Sequence, residues 1–171
     1  MIIALDIETY KYNEKEDCYE PILDARKFLI GCAITDKGTK HYFYKAQDMW
    51  KWVTNTINKN KKNGKRTFIY GHNTEYDWYG LAQGNLLDDK IKYINFSPFI
   101  AIYNEKGYIL DTMAFYRMSL EAVGNILKFP KLEMPKKIKH PDDLKPYVTR
   151  DVEITLAAIQ ELRNKIGTLG F

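Results

Sequence analysis

The sequence predicts a mixed α/β domain in which helices flank a central mixed sheet. Short apolar segments typical of strands fill most of the first two thirds of the chain, a segment with helical periodicity at residues 46–59 separates them, and the last third is helical. Strands that alternate with helices and are followed by further helices favour one sheet with helices against its faces. We therefore expect a single domain that spans residues 1–171.

The individual elements follow from periodicity and from turn residues. The predicted strands are residues 2–5, 28–34, 41–44, 67–70, 91–94, 99–103 and 108–110. The predicted helices are residues 46–59, residues 75–82, a segment with Ser119 as its N-cap, a helix that starts near His140 and a long amphipathic helix at 146–165. Residues 11–24 are polar and contain Pro21, so a loop is predicted there.

The composition is that of an ordinary globular protein. The formal charge of +4 permits a polyanionic partner without requiring one, and the densest basic segment, residues 59–66, is interpreted as a solvated loop or helix end. Two cysteines, Cys18 and Cys32, suggest a reducing compartment, with one disulfide as the open alternative, and the lack of a CxxC pattern predicts that there is no structural zinc site. No apolar run has the length that spans a bilayer, so we predict a cytoplasmic protein without a membrane partner.

Two acids follow the first apolar segment. Asp6 and Glu8 are placed at the end of the first predicted strand, where residues i and i+2 point to the same face. Two carboxylates held this close repel each other, and a divalent cation such as magnesium relieves that repulsion. An isolated Asp-x-Glu is also common as two solvent-facing acids at a strand end, and that alternative remains open for this pair alone.

Two further acids lie far along the chain. Asp77 is predicted in the first turn of a helix, where the helix dipole by itself favours a carboxylate. Tyr147 and Asp151 are four residues apart on the final helix and therefore share a face, although Asp151 could simply pair with Arg150 or a nearby lysine. Taken together, the four acids can assemble a two-metal site, which holds cations roughly 4 Å apart for phosphodiester hydrolysis.

The residues around these acids form three motifs in a fixed order. They are Asp6-Ile7-Glu8, then Asn73 followed by Tyr76-Asp77, then Tyr147-x-x-x-Asp151. In this order they resemble the DEDD exonucleases of the ribonuclease H-like superfamily, in the subgroup that has tyrosine in the last motif. Within that family the sequence is most similar to the proofreading domain of family B DNA polymerases, especially the protein-primed viral type.

The resemblance implies roles for the matched acids. Asp6 is expected to bridge two divalent cations, Mg²⁺ or Mn²⁺, while Glu8 and Asp151 complete the first site and Asp77 holds the second. Tyr147 is expected to orient the attacking water.

The resemblance also implies contacts with the substrate. Thr9, Asn73 and Tyr76 are expected to grip the terminal nucleotides, and Thr112, in Thr112-Met113, is the match to a Ser/Thr-Leu pair that contacts the strand. A family lysine at the strand end has Lys131, Lys136 and Lys137 as its candidates. His72 is interpreted as a hydrogen-bonding residue at a strand end rather than as a catalytic group.

The expected function is a 3′–5′ exonuclease acting on the 3′ end of single-stranded DNA, in replication or repair and, if the protein is viral, in the host cytoplasm. An RNA-trimming enzyme, a structure-selective endonuclease and a catalytically silent DNA-binding module remain alternatives, because sugar choice and polarity depend on contacts that a sequence does not display. Only 20 residues follow Asp151, so no polymerase is expected in this chain, which is either a free-standing nuclease or an excised domain.

Overall fold

The computed structural model describes residues 1–82, 89–96 and 98–168. Its strands are β1 (Ile2–Asn13), β2 (Cys18–Pro21), β3 (Phe28–Thr35), β4 (Lys40–Phe43), β5 (Thr67–Gly71), β6 (Ile91–Phe96), β7 (Phe99–Tyr103) and β8 (Gly107–Asp111). Its helices are α1 (Ala46–Lys62), α2 (Thr74–Ala82), α3 (Met113–Tyr116), α4 (Leu120–Ile126) and α5 (Lys145–Thr168), with a 3₁₀ turn at Pro141–Leu144 before α5.

The strands form one mixed sheet in the order β4-β3-β1-β5-β8-β7-β6, with β2 paired to the outer part of β1. β1, β5 and β8 are parallel to one another, whereas β3, β4, β6 and β7 pair with antiparallel neighbours. Parallel neighbours place the carboxyl ends of β5 and β8 at one edge of the sheet. The predicted mixed sheet with flanking helices is confirmed.

Helices cover both faces of the sheet. On one face, α1 and α2 pack through Met49, Trp50 and Trp78 onto Ile3, Leu5 and Ile69 and other strand residues. On the opposite face, α5 packs Val148 and Val152 against Ala4, Ile30 and Cys32 of β1 and β3. Burial of these aliphatic and aromatic side chains is the main favourable term that holds the layers together.

The predicted loop at residues 11–24 is wrong. β1 continues to Asn13 and folds back through a hairpin into β2, with Tyr10 paired to Pro21 and Asn13 to Cys18. Cys18 is buried and Tyr19 bridges to Ile138, so this polar hairpin is held by backbone pairing and a few buried contacts. Pro21 is tolerated because it ends the strand. As a consequence, Asp6 and Glu8 lie inside a long strand rather than at its end.

The helices agree with the prediction in part. α1 extends three residues beyond the predicted end at Lys59, and α2 starts one residue before Glu75. Ser119 caps α4 as expected, since its hydroxyl accepts a hydrogen bond from the Ala122 backbone N–H at 3.2 Å. His140 caps a 3₁₀ turn rather than a separate α-helix, and this turn leads directly into α5.

Two observations concern the environment of the protein. Cys18 and Cys32 are both free and buried. No helix in the described part of the chain combines the length and apolar character that crossing a bilayer demands.

The close packing of α1 against the sheet gives a stability prediction. A Cβ added at Gly107 would lie 2.5 to 2.9 Å from three side-chain atoms of the fully buried Ile57. Gly107→Ala should therefore lower the free energy of unfolding by about 1–3 kcal/mol, measured by urea denaturation. Gly167→Ala, in α5 with no atom within 4 Å of the new Cβ, is the control and should be neutral or stabilising. Equal stability of the Gly107 variant and the wild type would contradict the packing described.

Candidate active site

A groove of about 490 Å³ lies at the edge of the sheet where β5 and β8 end. It is lined by all five residues predicted to be catalytic, which are Asp6, Glu8, Asp77, Tyr147 and Asp151. β1 supplies the first two, the first turn of α2 supplies Asp77, and the N-terminal half of α5 supplies the last two. Residues separated by as much as 145 positions in sequence are thus brought to one place by the sheet and the helix that crosses it.

Three of the carboxylates form a tight cluster. Asp6, Glu8 and Asp151 each offer an oxygen atom, and these atoms all lie within 4.8 Å of one another. Asp6 and Glu8 share a face of β1 because they are two residues apart, as predicted. Asp151 reaches them because α5 packs across β1, with Val148 and Val152 buried against the sheet.

Asp77 joins this cluster through a close approach of two chain segments. A Cβ at Gly71 would lie 2.8 Å from Asp77 Oδ2 and 2.7 Å from Thr74 Oγ1, so a residue with a side chain would displace Asp77. The Ile7 backbone N–H lies close enough to the Asp77 carboxylate to oppose the rise in its pKa, which places Asp77 beside β1. Asp77 Oδ2 has no hydrogen-bond partner within the described part of the chain.

The crowded acids hold their protons strongly. Burial, followed by the negative charge of Asp151, raises the pKa of Asp6 from 3.8 to about 7. Burial and the neighbouring charge of Asp6 raise the pKa values of Glu8 and Asp77 well above their usual range. The pKa of Asp151 is raised as well, chiefly by burial, although Lys131 opposes the shift. Each carboxylate therefore disfavours ionisation of the next one.

The chemistry of this donor set fits hard divalent cations. Asp77 Oδ2 and Asp151 Oδ1 are buried and lack hydrogen-bond partners among the described residues. Buried carboxylate oxygens without a donor are costly, and a bound cation satisfies them while it cancels their repulsion. Asp6, Glu8, Asp77 and Asp151 are thus the residues that could hold such ions.

Lys131 supplies a positive charge inside the groove. Its ammonium lies 2.7 Å from Asp151 Oδ2 and 5.0 Å from the centre of the Tyr147 ring. Burial alone would lower its pKa, but the charge of Asp151 raises it, so Lys131 stays protonated. Among the three lysine candidates only Lys131 lines this groove; Lys137 instead pairs with Glu16.

The predicted nucleotide-gripping residues stand beside the acids. Thr9 follows Glu8 on β1, and its hydroxyl lies 2.5 Å from the Tyr76 hydroxyl and 2.5 Å from the Ile22 carbonyl oxygen. A second cavity of about 300 Å³ contains Glu8, Thr9 and Tyr76 together with the strongly exposed Leu23. Asn73 is exposed at the groove with a φ of 65°, a left-handed conformation that asparagine tolerates well.

Thr112 is not presented to this groove. Its side chain is 1% exposed, and its hydroxyl lies 3.0 Å from the Gly71 carbonyl oxygen and 2.8 Å from His72 Nδ1. The same ring donates through Nε2 to the Met118 carbonyl oxygen at 2.9 Å, so His72 is the hydrogen-bonding residue that was predicted. The hydrogen bonds of Thr112 with Gly71 and His72 tie the end of β5 to the segment after β8. They give Thr112 a structural position instead of the predicted contact with substrate.

The groove contains further residues that the sequence did not single out for a role there. Ser119 and Leu120 at the start of α4, with Met113 and Met134, also line it. Ser119 was predicted as a helix cap, Ser119-Leu120 contributed to the resemblance and Met113 was the partner of Thr112 in its motif, but none of them was assigned to the groove, and the exposed Met134 carries no local signal. Their position becomes visible only when α3 and α4 are packed beside the sheet.

Asp111 is a fifth acid near the site and was also missed. It ends β8, is largely buried, and accepts hydrogen bonds from the backbone N–H groups of Asn73, Thr74 and Met113 at 2.9 to 3.1 Å. Free N–H groups at a helix start are usually satisfied by a residue just before the helix. Here the carboxylate of Asp111, 37 residues away in sequence, accepts the hydrogen bond from the Thr74 N–H. This contact fixes the start of α2 and therefore the position of Asp77.

The fold is similar to parts of family B DNA polymerases of known structure. The chain is similar to the family B DNA polymerase from the hyperthermophilic archaeon Pyrobaculum calidifontis, with a TM-score of 0.61 and 17% identity over 94% of this chain and 24% of that one. It is equally similar to Phi29 DNA polymerase complexed with single-stranded DNA, with a TM-score of 0.61 and 12% identity over 97% and 32% of the two chains. For Phi29 DNA polymerase complexed with primer-template DNA, the TM-score is 0.60 and the identity is 13%, over 97% of this chain and 31% of that one.

These matches confirm the predicted ribonuclease H-like fold, which the exonuclease domains of such polymerases have. The chain spans about a quarter to a third of the length of the polymerases it matches. Its sequence matches no protein-family model and no curated protein.

The raised pKa of Asp6 gives a pH prediction for the metal-free protein. Between pH 3.8 and about 7, Asp6 is protonated in the folded state and ionised in the unfolded state. The unfolded chain binds fewer protons, so the free energy of unfolding should fall as the pH rises through this window. Glu8, Asp77 and Asp151 shift in the same direction and reinforce the fall.

Urea denaturation in EDTA across this pH range measures the effect. Asp6→Asn removes one titrating group and should show a shallower decline than the wild type. A wild-type stability that rises with pH over the same interval would contradict the electrostatic description of the groove.

Proposed function

We propose that this protein is a metal-dependent 3′–5′ exonuclease that trims the 3′ end of single-stranded DNA. The observation that carries the proposal is the buried cluster of Asp6, Glu8 and Asp151, with Asp77 beside it, in a groove that is open to solvent. A set of carboxylates that repel one another is a poor structural element but an effective ligand set for two cations. The similarity to polymerase exonuclease domains supports the same conclusion.

Each carboxylate has a role in this proposal. Asp6 would contribute an oxygen to both of two divalent-ion sites, for Mg²⁺ or Mn²⁺. Glu8 and Asp151 would complete one site, and Asp77 would belong to the other. When bound, such ions stabilise both the attacking and the leaving oxygen of a phosphodiester and lower the pKa of water. The orphaned oxygens of Asp77 and Asp151 support this assignment.

Tyr147 acts in the proposal as a neutral hydrogen-bond donor that orients water. Burial, and next to it the negative charge of Asp151, raise the pKa of Tyr147 above its usual value of 10. The phenol therefore keeps its proton at neutral pH and cannot serve as an anionic base. Lys131 adds a positive charge above the Tyr147 ring, where it can offset the charge of a phosphate group.

The proposed substrate is an unpaired DNA strand. One of the similar polymerases was solved with single-stranded DNA, which supports this choice. In this chain, Tyr76 offers an aromatic ring for base stacking, and Thr9 and Asn73 offer hydrogen-bonding groups next to the acids. We further propose that residues 1–171 act as one nuclease domain in the cytoplasm, in DNA replication or repair.

Replacement of Asp6 tests the metal assignment. Asp6→Asn keeps the size of the side chain but removes the charge that the proposal places between two ions, so kcat/KM should fall more than about a hundredfold. Asp48→Asn, an exposed acid in the first turn of α1, is the control and should retain full activity. Cleavage by wild-type protein should stop in EDTA and resume with excess Mg²⁺ or Mn²⁺. Undiminished cleavage by the Asp6 variant would refute the assignment.

Tyr147→Phe isolates the contribution of one hydroxyl. Turnover should drop about ten- to a hundredfold while the affinity for Mn²⁺, measured by calorimetry, stays at the wild-type value. Tyr44→Phe removes an exposed hydroxyl outside the groove and should leave the rate unchanged. If the Tyr147 variant turns over at the wild-type rate, the tyrosine has no part in the mechanism.

The product pattern decides between the proposed activity and its alternatives. End-labelled single-stranded DNA, duplex DNA and single-stranded RNA are incubated with Mg²⁺, and the products are resolved by length. Mononucleotides released from the 3′ end of single-stranded DNA are expected. Preferred cleavage of RNA, internal cuts, or binding without cleavage would instead identify the RNA-trimming enzyme, the endonuclease or the silent module.

A further inference from the structure

A second groove, far from the acids, collects positive charge. It has a volume of about 770 Å³ and lies between the C-terminal half of α1 and the β6–β7 hairpin. Its lining consists of four lysines, Lys59, Lys61, Lys62 and Lys90, and three asparagines, with no carboxylate among the lining residues. Lysine and asparagine together present only positive charge and neutral hydrogen-bonding groups, which suits a polyanion.

Two of these lysines have no partner among the residues that the structure describes. Lys59 and Lys62 are exposed, one helical turn apart, and neither makes an ion pair or hydrogen bond through its ammonium within the described ranges. Cations in the last turn of a helix stabilise it through the helix dipole, which explains part of this charge. The dipole does not explain Lys65 and Arg66, which lie beyond the end of α1 and bring segment 59–66 to five cations without an acid.

The floor of this groove is held in a fixed arrangement. The Asn104 side chain accepts a hydrogen bond from Lys61 Nζ at 2.8 Å and donates one to Asn58 Oδ1 at 2.6 Å. Lys61 also pairs with Glu105 at 3.2 Å, so the nearest acid is already engaged. Asn104 and Glu105 both have positive φ, as a tight hairpin turn requires, which anchors this floor to β7 and β8.

The groove and the active site are joined by an edge of the sheet. β8 ends at the active site, β7 runs antiparallel to β8, and β6 runs antiparallel to β7. Phe96 therefore ends β6 on the active-site side, while Ile91 begins it next to Lys90 and the basic groove. A strand of six residues spans about 20 Å, which is the distance that β6 covers between its two ends. β6 lies four strands away from β1 in the sheet, so a bound strand would also have to cross roughly 19 Å to reach Asp6 and Glu8.

Exposed aromatic rings and a further cation lie along this edge. Tyr79 and Phe96 stack at 6.0 Å near the active-site end, and both rings are more than two-fifths exposed. Tyr93, half exposed, lies farther along β6 toward the groove, three residues from Phe96 and therefore on the opposite face of the sheet, and the exposed Lys92 precedes it. Aromatic rings next to cations are the pattern by which proteins hold single strands, through stacking and phosphate contacts.

We propose that the basic groove formed by Lys59, Lys61, Lys62 and Lys90 binds the sugar-phosphate backbone of single-stranded nucleic acid, in a segment upstream of the end held in the active site. The inference rests on the proposed function, because it takes the substrate to be a nucleic-acid strand. It adds a second contact region that tethers the strand while its terminus is trimmed.

The salt dependence of binding tests this proposal without any cleavage. All proteins in this test carry Asp6→Asn, so that the DNA is not cleaved. They are titrated onto fluorescent single-stranded DNA that is longer than roughly 16 nucleotides, the length that large single-strand binding sites cover. Each phosphate contact to a single strand contributes about 0.7 to the slope of log K against log salt. Lys59→Ala with Lys62→Ala should therefore reduce the slope by about 1.4.

A matched control removes the same charge elsewhere. Lys15→Ala with Lys51→Ala changes two exposed lysines that do not line the groove, and Lys51 lies about 12 Å from Lys59 along α1, beyond the Debye length at an ionic strength of about 0.1 M or above, where the titrations are made. This control should keep the slope of the parent protein. A groove variant with the same slope as the control would overturn the proposal, including the case in which an acidic protein surface is the true partner.

The two proposals fail in different ways. Suppose that wild-type protein does not cleave DNA but the slope of log K against log salt is still smaller for the groove variant than for its parent. The nuclease proposal is then wrong, and the proposal of a binding groove stands. If wild-type protein cleaves as expected but the slope does not change, the nuclease proposal stands and the groove inference is wrong. Urea denaturation of both double variants verifies that these exposed substitutions leave the fold intact.

Discussion

The mutual repulsion of four carboxylates buried at one edge of the sheet is the constraint on which the rest of the site depends. Asp6, Glu8 and Asp151 bring oxygen atoms within 4.8 Å of one another, and Asp77 adds a buried oxygen without a partner. Such a cluster weakens the fold unless protons, a neighbouring ammonium or divalent cations compensate its charge. The raised pKa values and the contact between Lys131 and Asp151 are two of these compensations, and they belong to the metal-free state.

The surrounding fold is built to keep this unfavourable arrangement in place. The tight packing at Gly71 allows Asp77 to approach β1, and Asp111 fixes the start of the helix that carries Asp77. α5 holds Asp151 in register through Val148 and Val152, which are fully buried against the sheet. Hydrophobic packing thus supplies the stability that the acidic cluster costs. The densest basic segment of the chain, residues 59–66, lies at the C-terminal end of α1, where its lysines line a groove that contains none of the four acids.

Most of the fold and the core of the site followed from the sequence, because both depend on local patterns. The periodicity of two in β1 put Asp6 and Glu8 on one face, and the spacing of four in α5 put Tyr147 beside Asp151. The failures concern tertiary contacts. The β1–β2 hairpin looked like a loop because its pairing involves polar residues, Thr112 looked accessible although hydrogen bonds to β5 bury it, and Asp111 satisfies N–H groups of a helix far away in sequence. Single-sequence patterns carry no information on such partners.

The central claim is that these acids gather two divalent ions between them. Anomalous diffraction from crystals of the protein soaked in Mn²⁺ tests it most directly. The account predicts two peaks roughly 4 Å apart in the groove, with Asp6 contacting both and the Lys131 ammonium displaced from Asp151. A groove without peaks, in which Lys131 still pairs with Asp151, would contradict it.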